Sequence, residues 1–226
     1  MKILVFIIIL ITSTSLNSFQ IPKEKKVIFD LIRKNKIIGT IETLFEENDD
    51  LLIVSTNVEI EVKALFLTVY KFTQSSKETW HNGEFIEFEG HTDFEDEREY
   101  FIKGQDTSKN FTATGMDGEI IYDKKILPLN YWNKDILNEK TVFDTQKGIS
   151  RDIKVQKLED ELVFINNHEI NSEKFLLDAS SNPKDKGPFP QYTLWYAKKN
   201  NELIKFRFIN WKDKKEVIAQ RNSWED

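Results

Sequence analysis

The chain has 226 residues, 38 acidic against 32 basic side chains and a formal net charge of −6. Acid and base are interspersed, so no basic stripe is available to neutralise phosphates, which argues against nucleic acid as a partner. Cysteine is absent, which removes disulfides, thiolate metal ligands and cysteine nucleophiles together.

Lys2 precedes nine apolar residues, Ile3 to Ile11, and the polar run Thr12-Ser13-Thr14-Ser15 follows. That order predicts a secretory signal peptide over 1–18, cleaved after Ser15 or Ser18. A bilayer-crossing helix needs about 20 apolar residues. The expected product is therefore a periplasmic or secreted protein, a single antiparallel β domain over 19–226 with no membrane span. An uncleaved signal acting as a short anchor is the alternative.

From there, turn signals recur at short and even spacing. Lys34-Asn35-Lys36 separates VIFDLIR from IIGTIETLF, and Glu47-Asn48-Asp49-Asp50 precedes LLIVSTNVEIEV. Val58, Ile60 and Val62 alternate there with polar neighbours, the period of a half-buried strand. Residues 65–72, LFLTVYKF, are apolar on both faces at their start and predict a strand buried on both sides. His81-Asn82-Gly83 sits between KETW and EFIEFEG; Asn-Gly is the strongest short-range hairpin signal. Asp93, Glu95, Glu97 and Glu99 follow His91 and would share one face of a strand. They supply enough oxygens for calcium, but without a glycine-pinned loop an acidic edge strand that resists aggregation accounts for them more simply.

Met116-Asp117-Gly118 marks the next hairpin. The stretch 126–140, ILPLNYWNKDILNEK, predicts one short helix or packed loop starting after Pro128, a plug near residues 128–139. SSNPKDKGPFP (180–190) forces a loop. Tyr192 to Tyr196 are bulky on both faces. Asn200-Asn201 then leads to a final alternation of Ile204, Phe206 and Phe208. The predicted fold is all-β with minor helix: a strongly curved antiparallel meander, a half-barrel or open barrel.

The chemistry expected of an enzyme is missing from the pattern. His81, His91 and His168 lack the spacing of a metal site, so no metal is expected. There is no G-x-S-x-G elbow, Gly-rich phosphate loop or H-E-x-x-H, so neither catalytic residues nor a cofactor can be assigned. The aromatic share is more informative: 17 Phe, six Tyr and five Trp, 12% of the chain. Each ring buries roughly 150–250 Å², which a cysteine-free core needs. The sharper alternative is a cavity. A fourteen-carbon chain buried there would gain about 11 kcal/mol gross at ~0.8 kcal/mol per CH₂. Ordering and association offset several kcal/mol of that. The candidate lining is Phe66, Tyr70, Trp80, Tyr131, Trp132, Trp195, Tyr196 and Phe206, with Trp80 and Trp195 equally readable as core anchors.

Five segments taken in order, FDLIRKNKIIGT (29–40), FLTVYKFTQSSKETWHNGEF (66–85), LPLNYWN (127–133), DTQKG (144–148) and LWYAKKNNELIKFRF (194–208), resemble the uncharacterised bacterial domain-of-unknown-function family 6134. The resemblance implies an exported, strongly curved sheet similar to the half-barrels of periplasmic lipoprotein carriers, with no established activity. Its matched positions include Gly39, Gly83, Asn133, Thr145, Gln146 and Lys205 as structural residues. Asn200-Asn201 replaces the family's usual glycine between the last two strands, and asparagine tolerates the positive φ required.

Three functions fit. The first is a binder or carrier of an apolar or amphiphilic small molecule. The second is a non-catalytic envelope scaffold that docks another envelope protein. The third is a hydrolase with a dispersed carboxylate site. The first is preferred because it needs no catalytic residue; an apolar void of roughly 300 Å³ or more would favour it, whereas closed, tightly packed sheet faces would favour the second.

Overall fold

The structure is a computed structural model that describes residues 20–226 apart from 65, 95–97, 108, 124, 211–212 and 225–226. The expected signal peptide lies outside the described residues, as do Glu95 and Glu97 of the acidic run. The described part is nearly all strand: β1 (Lys26–Arg33), β2 (Lys36–Asn48), β3 (Leu51–Ala64), β4 (Leu67–His81), β5 (Glu84–Asp93), β6 (Glu99–Asp106), β7 (Phe111–Gly115), β8 (Gly118–Tyr122), β9 (Leu127–Pro128), β10 (Thr141–Asp144), β11 (Ile149–Lys157), β12 (Glu161–Ile165), β13 (His168–Ala179), β14 (Tyr192–Ala197), β15 (Leu203–Ile209) and β16 (Glu216–Arg221). A single 3-10 turn, Lys134–Asn138, interrupts them.

These strands form one sheet in the order 8-7-6-5-4-3-2-1-16-15-14-13-11-10-9, with β12 pairing beside β13. Every pairing is antiparallel except the short β9–β10 contact. The order is a meander because each turn sends the chain straight back. Lys34 and Asn35 both hold positive φ, as do Asn82 and Gly83, the geometry whose twist matches the strands on either side. β1 pairs with β16, so the two halves of the meander join at the middle of the sheet.

The sheet curls far enough for its two ends to touch without forming a ladder. Met116 N–H donates to the Lys147 carbonyl at 2.7 Å. A β-carbon on Gly115 would stand 2.6 Å from the Gly148 Cα, so the backbones can meet there only because neither residue carries a side chain. The result is barrel-like but open, as the pattern predicts.

The inner face is filled. Phe85, Phe88, Phe111 and Phe143 make a ring nest with centroid separations from 5.1 to 6.5 Å. Phe45, Trp80 and Trp132 form a second, with Trp132 edge-on to both partners. A smaller outer core lies on the opposite face of β14. Trp195, Ala197 and Ile204 pack there under Val163 and Ile165 of β12, with Ile170 and Trp224. All six residues of β14 are buried, and the β12 hairpin is what covers its second face.

The other segment with apolar residues on both faces behaves differently. Phe66 is fully exposed, and Leu67, Val69 and Tyr70 are exposed as well; burial begins only at Phe72. The expectation of a strand buried on both sides at 65–72 is corrected accordingly. Hydrophobic content alone did not distinguish a covered strand from the end of a hairpin that outruns its neighbours.

Candidate functional site

Two bulges at one rim of the sheet flank an open groove. One shifts the β1–β2 register between Leu31 and Ile32, and the other shifts β3–β4 between Val62 and Lys63. Bulges bend and twist the strand that carries them. Between them, the β2–β3 ladder ends at Gly39↔Ile60. Beyond that pair the two hairpins part like the arms of a fork. Gly39 sits at the crotch, where an added β-carbon would lie 2.0 Å from the Glu59 carbonyl oxygen.

The space between the arms is an open groove of about 1070 Å³. Ile37 and Ile38 supply one apolar wall, Val62 and Val69 the other, and Ile60 lies at the fork. Lys34, Lys36, Lys63 and Lys71 rim it, opposed by Glu59 and Glu61. Arg33, also on the rim, is paired with Asp213. Glu61 bonds to Lys63 at 2.9 Å and accepts from Thr68 Oγ1 at 2.8 Å, and Lys63 in particular holds its carboxyl below the usual range. The groove thus joins a branched aliphatic lining to a rim with an excess of lysine, a composition suited to a molecule with an apolar tail and an anionic head.

The curved interior is closed by a plug, as expected near residues 128–139. Leu129 to Asn133 enter as a loop, with Tyr131 at φ 57°, and Asn133 Oδ1 caps the 3-10 turn by accepting from Asp135 N–H at 3.0 Å. The plug is fastened through one buried acid. Glu78 Oε2 accepts from Asn130 Nδ2 at 2.9 Å, Trp80 Nε1 at 3.0 Å and Trp132 Nε1 at 3.2 Å. Burial pushes the Glu78 carboxyl up to about 7, although the three donors pull it down. Tyr196 O–H donates to the Tyr131 carbonyl at 2.8 Å, and Lys134 pairs with Glu173.

A second buried polar network ties β10 and β11 to the proline-rich loop. Arg151 Nε donates to Asp144 Oδ2 at 2.5 Å, and Nη1 donates to the Ser180 carbonyl at 2.7 Å and to Asp185 Oδ2 at 3.1 Å. Desolvation alone would raise the Asp185 carboxyl, but Arg151 and Lys147 hold it at about 2.

Of the eight candidate cavity residues, six are packed inside the protein. Trp80 and Trp132 belong to the Glu78 cluster, and Tyr131 and Phe206 are 5.5 Å apart beside Tyr192. Tyr196 anchors the plug. Trp195 lies in the outer core beneath the Lys205 ammonium, 4.8 Å above its ring; burial lowers the Lys205 pKa. The core pocket beside Trp132 holds only about 20 Å³, room for about one water. Phe66 and Tyr70 are the two exposed members, on the arm that carries the groove residues Val62 and Val69.

The motif residues take structural places. Gly83 completes its turn at φ 79°. Thr145 Oγ1 donates to the Leu129 carbonyl at 3.4 Å while its own carbonyl accepts from Gln74 Nε2 at 3.2 Å. Gln146 N–H donates to Asp144 Oδ1 at 2.8 Å. Sequence reasoning missed Glu78 and Arg151, whose sole sequence signal is a charge at an inward strand position. It also missed the fork, which depends on register. His91 bonds to Glu99 at 2.7 Å and stacks on Phe101. Among the described residues, no cluster of three or more His, Asp or Glu side chains is arranged to hold a metal, and no helix is long and apolar enough to cross a membrane.

No curated protein matches the chain in sequence. Among solved structures it is similar to a β-barrel-like protein of domain-of-unknown-function family 1849 from Brucella abortus, with TM-score 0.61 and 9% identity over 87% of this chain and 94% of that one. That likeness is one of fold. A protein described as exported, with a YmcC-like fold, from Bacteroides fragilis overlaps less well, at TM-score 0.40 and 12% identity over 92% and 99% of the two chains. So does a protein described as a lipoprotein from Parabacteroides distasonis, at TM-score 0.39 and 11% identity over 92% and 98%. The model of the domain of unknown function DUF6134 matches residues 29–213, and with its segments in family order on this open curved sheet, the chain belongs to the DUF6134 family.

Proposed function

We propose that the protein is an exported, non-catalytic binder of an anionic amphiphile, and that it holds the molecule in the forked groove at the rim of the sheet. The observation that carries this reading is the groove itself, about 1070 Å³ with aliphatic walls and a lysine rim. Small-molecule sites commonly enclose about 300–1,000 Å³. The non-catalytic part rests on the buried carboxylates: Glu78, Asp144 and Glu202 are committed to internal donors. Export rests on the N-terminal pattern of one lysine, nine apolar residues and a small polar run.

A fluorescent fatty acid titrated into the chain spanning 19–226 tests the reading. Saturable uptake near one molecule per chain is expected, weakened about tenfold, or ~1.4 kcal/mol, by Val62→Asp. Lys36→Glu weakens it less and makes the remainder less sensitive to salt. Absence of uptake, or uptake unchanged in Val62→Asp, overturns the assignment.

A further inference from the structure

The arm formed by β3 and β4 breaks a rule that its neighbours keep. Of the five other two-residue turns of the sheet, four carry only polar residues or glycine, namely Lys34-Asn35, Asp49-Asp50, Asn82-Gly83 and Asn166-Asn167, and the fifth, Met116-Asp117, pairs one flexible apolar side chain with an acid. The β3–β4 connection, between Ala64 and Leu67, instead carries Phe66. Phe66 holds φ at 74°, a region that glycine and asparagine enter readily and bulky side chains avoid. Its ring is fully exposed, and Leu67, Val69 and Tyr70 are exposed beside it. A strained backbone that displays an apolar side chain to solvent is a local conflict of the kind that marks functional positions.

From these features we infer that the β3–β4 tip inserts into the surface of an anionic lipid bilayer. The charge around it identifies the occupant. Lys34, Lys36, Lys63 and Lys71 are exposed at the same end of the molecule, against Glu59 and Glu61, in a chain whose overall charge is negative. An apolar wedge with a collar of lysines matches the depth profile of a bilayer, where side chains reach about 5–10 Å into the acyl boundary and cations meet the headgroups. A protein partner would more often meet a broad patch with a polar rim than a narrow protruding tip. The inference rests on the apolar tip and on lysines that it shares with the groove rim, and it does not require the groove to be occupied.

The test is co-sedimentation of the 19–226 chain with phosphatidylcholine vesicles, alone or mixed with phosphatidylglycerol. Binding to the mixed vesicles is expected, with little binding to phosphatidylcholine alone and a decline as salt rises. The double variant Phe66→Ser with Leu67→Ser should lose about tenfold or more in vesicle affinity, yet keep the thermal melt and fatty-acid uptake of the native chain. Phe164→Ser removes another exposed ring, on β12 away from the tip, and should bind vesicles as the native chain does. Three results overturn the inference: no sedimentation of the native chain, equal sedimentation of the tip variant, or a dimer that the tip variant dissolves without any vesicle binding. Loss of fatty-acid uptake in Val62→Asp with vesicle binding intact would separate the two sites.

Discussion

Replacing Glu78 by glutamine makes a decisive test of how the plug is held. The carboxyl is buried beneath the sheet with three N–H donors on a single oxygen, and its pKa is raised from 4.5 to about 7. At 1.36 kcal/mol per unit, that shift corresponds to about 3 kcal/mol. The sign follows from the folded value lying above the unfolded one: the folded state binds the proton more tightly. The stabilisation is complete below the unfolded pKa near 4.5 and is lost as pH rises through about 7. Urea unfolding of the native chain and of Glu78→Gln across that window isolates the contribution, because glutamine keeps an acceptor for the three donors and does not titrate. The native chain is expected to lose about 3 kcal/mol relative to the variant between pH ~4.5 and a pH well above 7. Parallel curves would refute the reasoning. A native chain that gains stability over the same range would refute it more sharply, since the donors would then be holding an anion more strongly than burial opposes it.

Arg151→Met removes a guanidinium that is 1% exposed and joins Asp144, Asp185 and the Ser180 carbonyl. Stranding Asp144 in this way, with Asp185 left to Lys147 and the Asn182 N–H, should cost about 3–5 kcal/mol in urea unfolding, and a loss below ~1 kcal/mol would show the network to be peripheral. Gly39→Val places a β-carbon 2.0 Å from the Glu59 carbonyl oxygen, so the β2–β3 ladder must yield at the fork. A loss of about 1–3 kcal/mol is expected, with faster amide exchange at Ile38 to Ile41 and at Ile60, and unchanged exchange would mean that the fork does not depend on close approach there.

Local chemistry made much of this fold legible. Asn82-Gly83 and Lys34-Asn35 reverse the chain because their residues tolerate positive φ, and the alternation of Val58, Ile60 and Val62 assigns a face to each. The bulky run Tyr192–Tyr196 signalled a strand covered twice, though not that β12 and Trp224 would cover it. The plug was visible as the non-alternating stretch after Pro128. What stayed hidden depends on pairs remote in sequence. Glu78 reads as one more acid on an exposed strand until Trp132, 54 residues later, is brought onto its oxygen. The fork is a register event: Ile60 and Gly39 pair, the next residues do not, and two bulges decide where. The aromatic side chains were correctly seen as numerous, but abundance does not say which of them face one another and which face a void. The same ambiguity let LFLTVYKF pass for an interior strand.

The contact between Gly115 and Gly148 gives the open sheet a seam without a zipper. One backbone hydrogen bond crosses it, and Asp117 adds surface ties to Asn182 and Lys184 at 2.7 Å each. Elsewhere a strand is secured along its length, but here the curl is kept shut at a point. Any side chain larger than hydrogen at either glycine acts as a wedge, and a wedged seam exposes the margins of β8 and β9 as bare templates for strands from another molecule. Two missing methyl groups thus stand between a solitary curled sheet and a chain prone to stitch itself to its own copies.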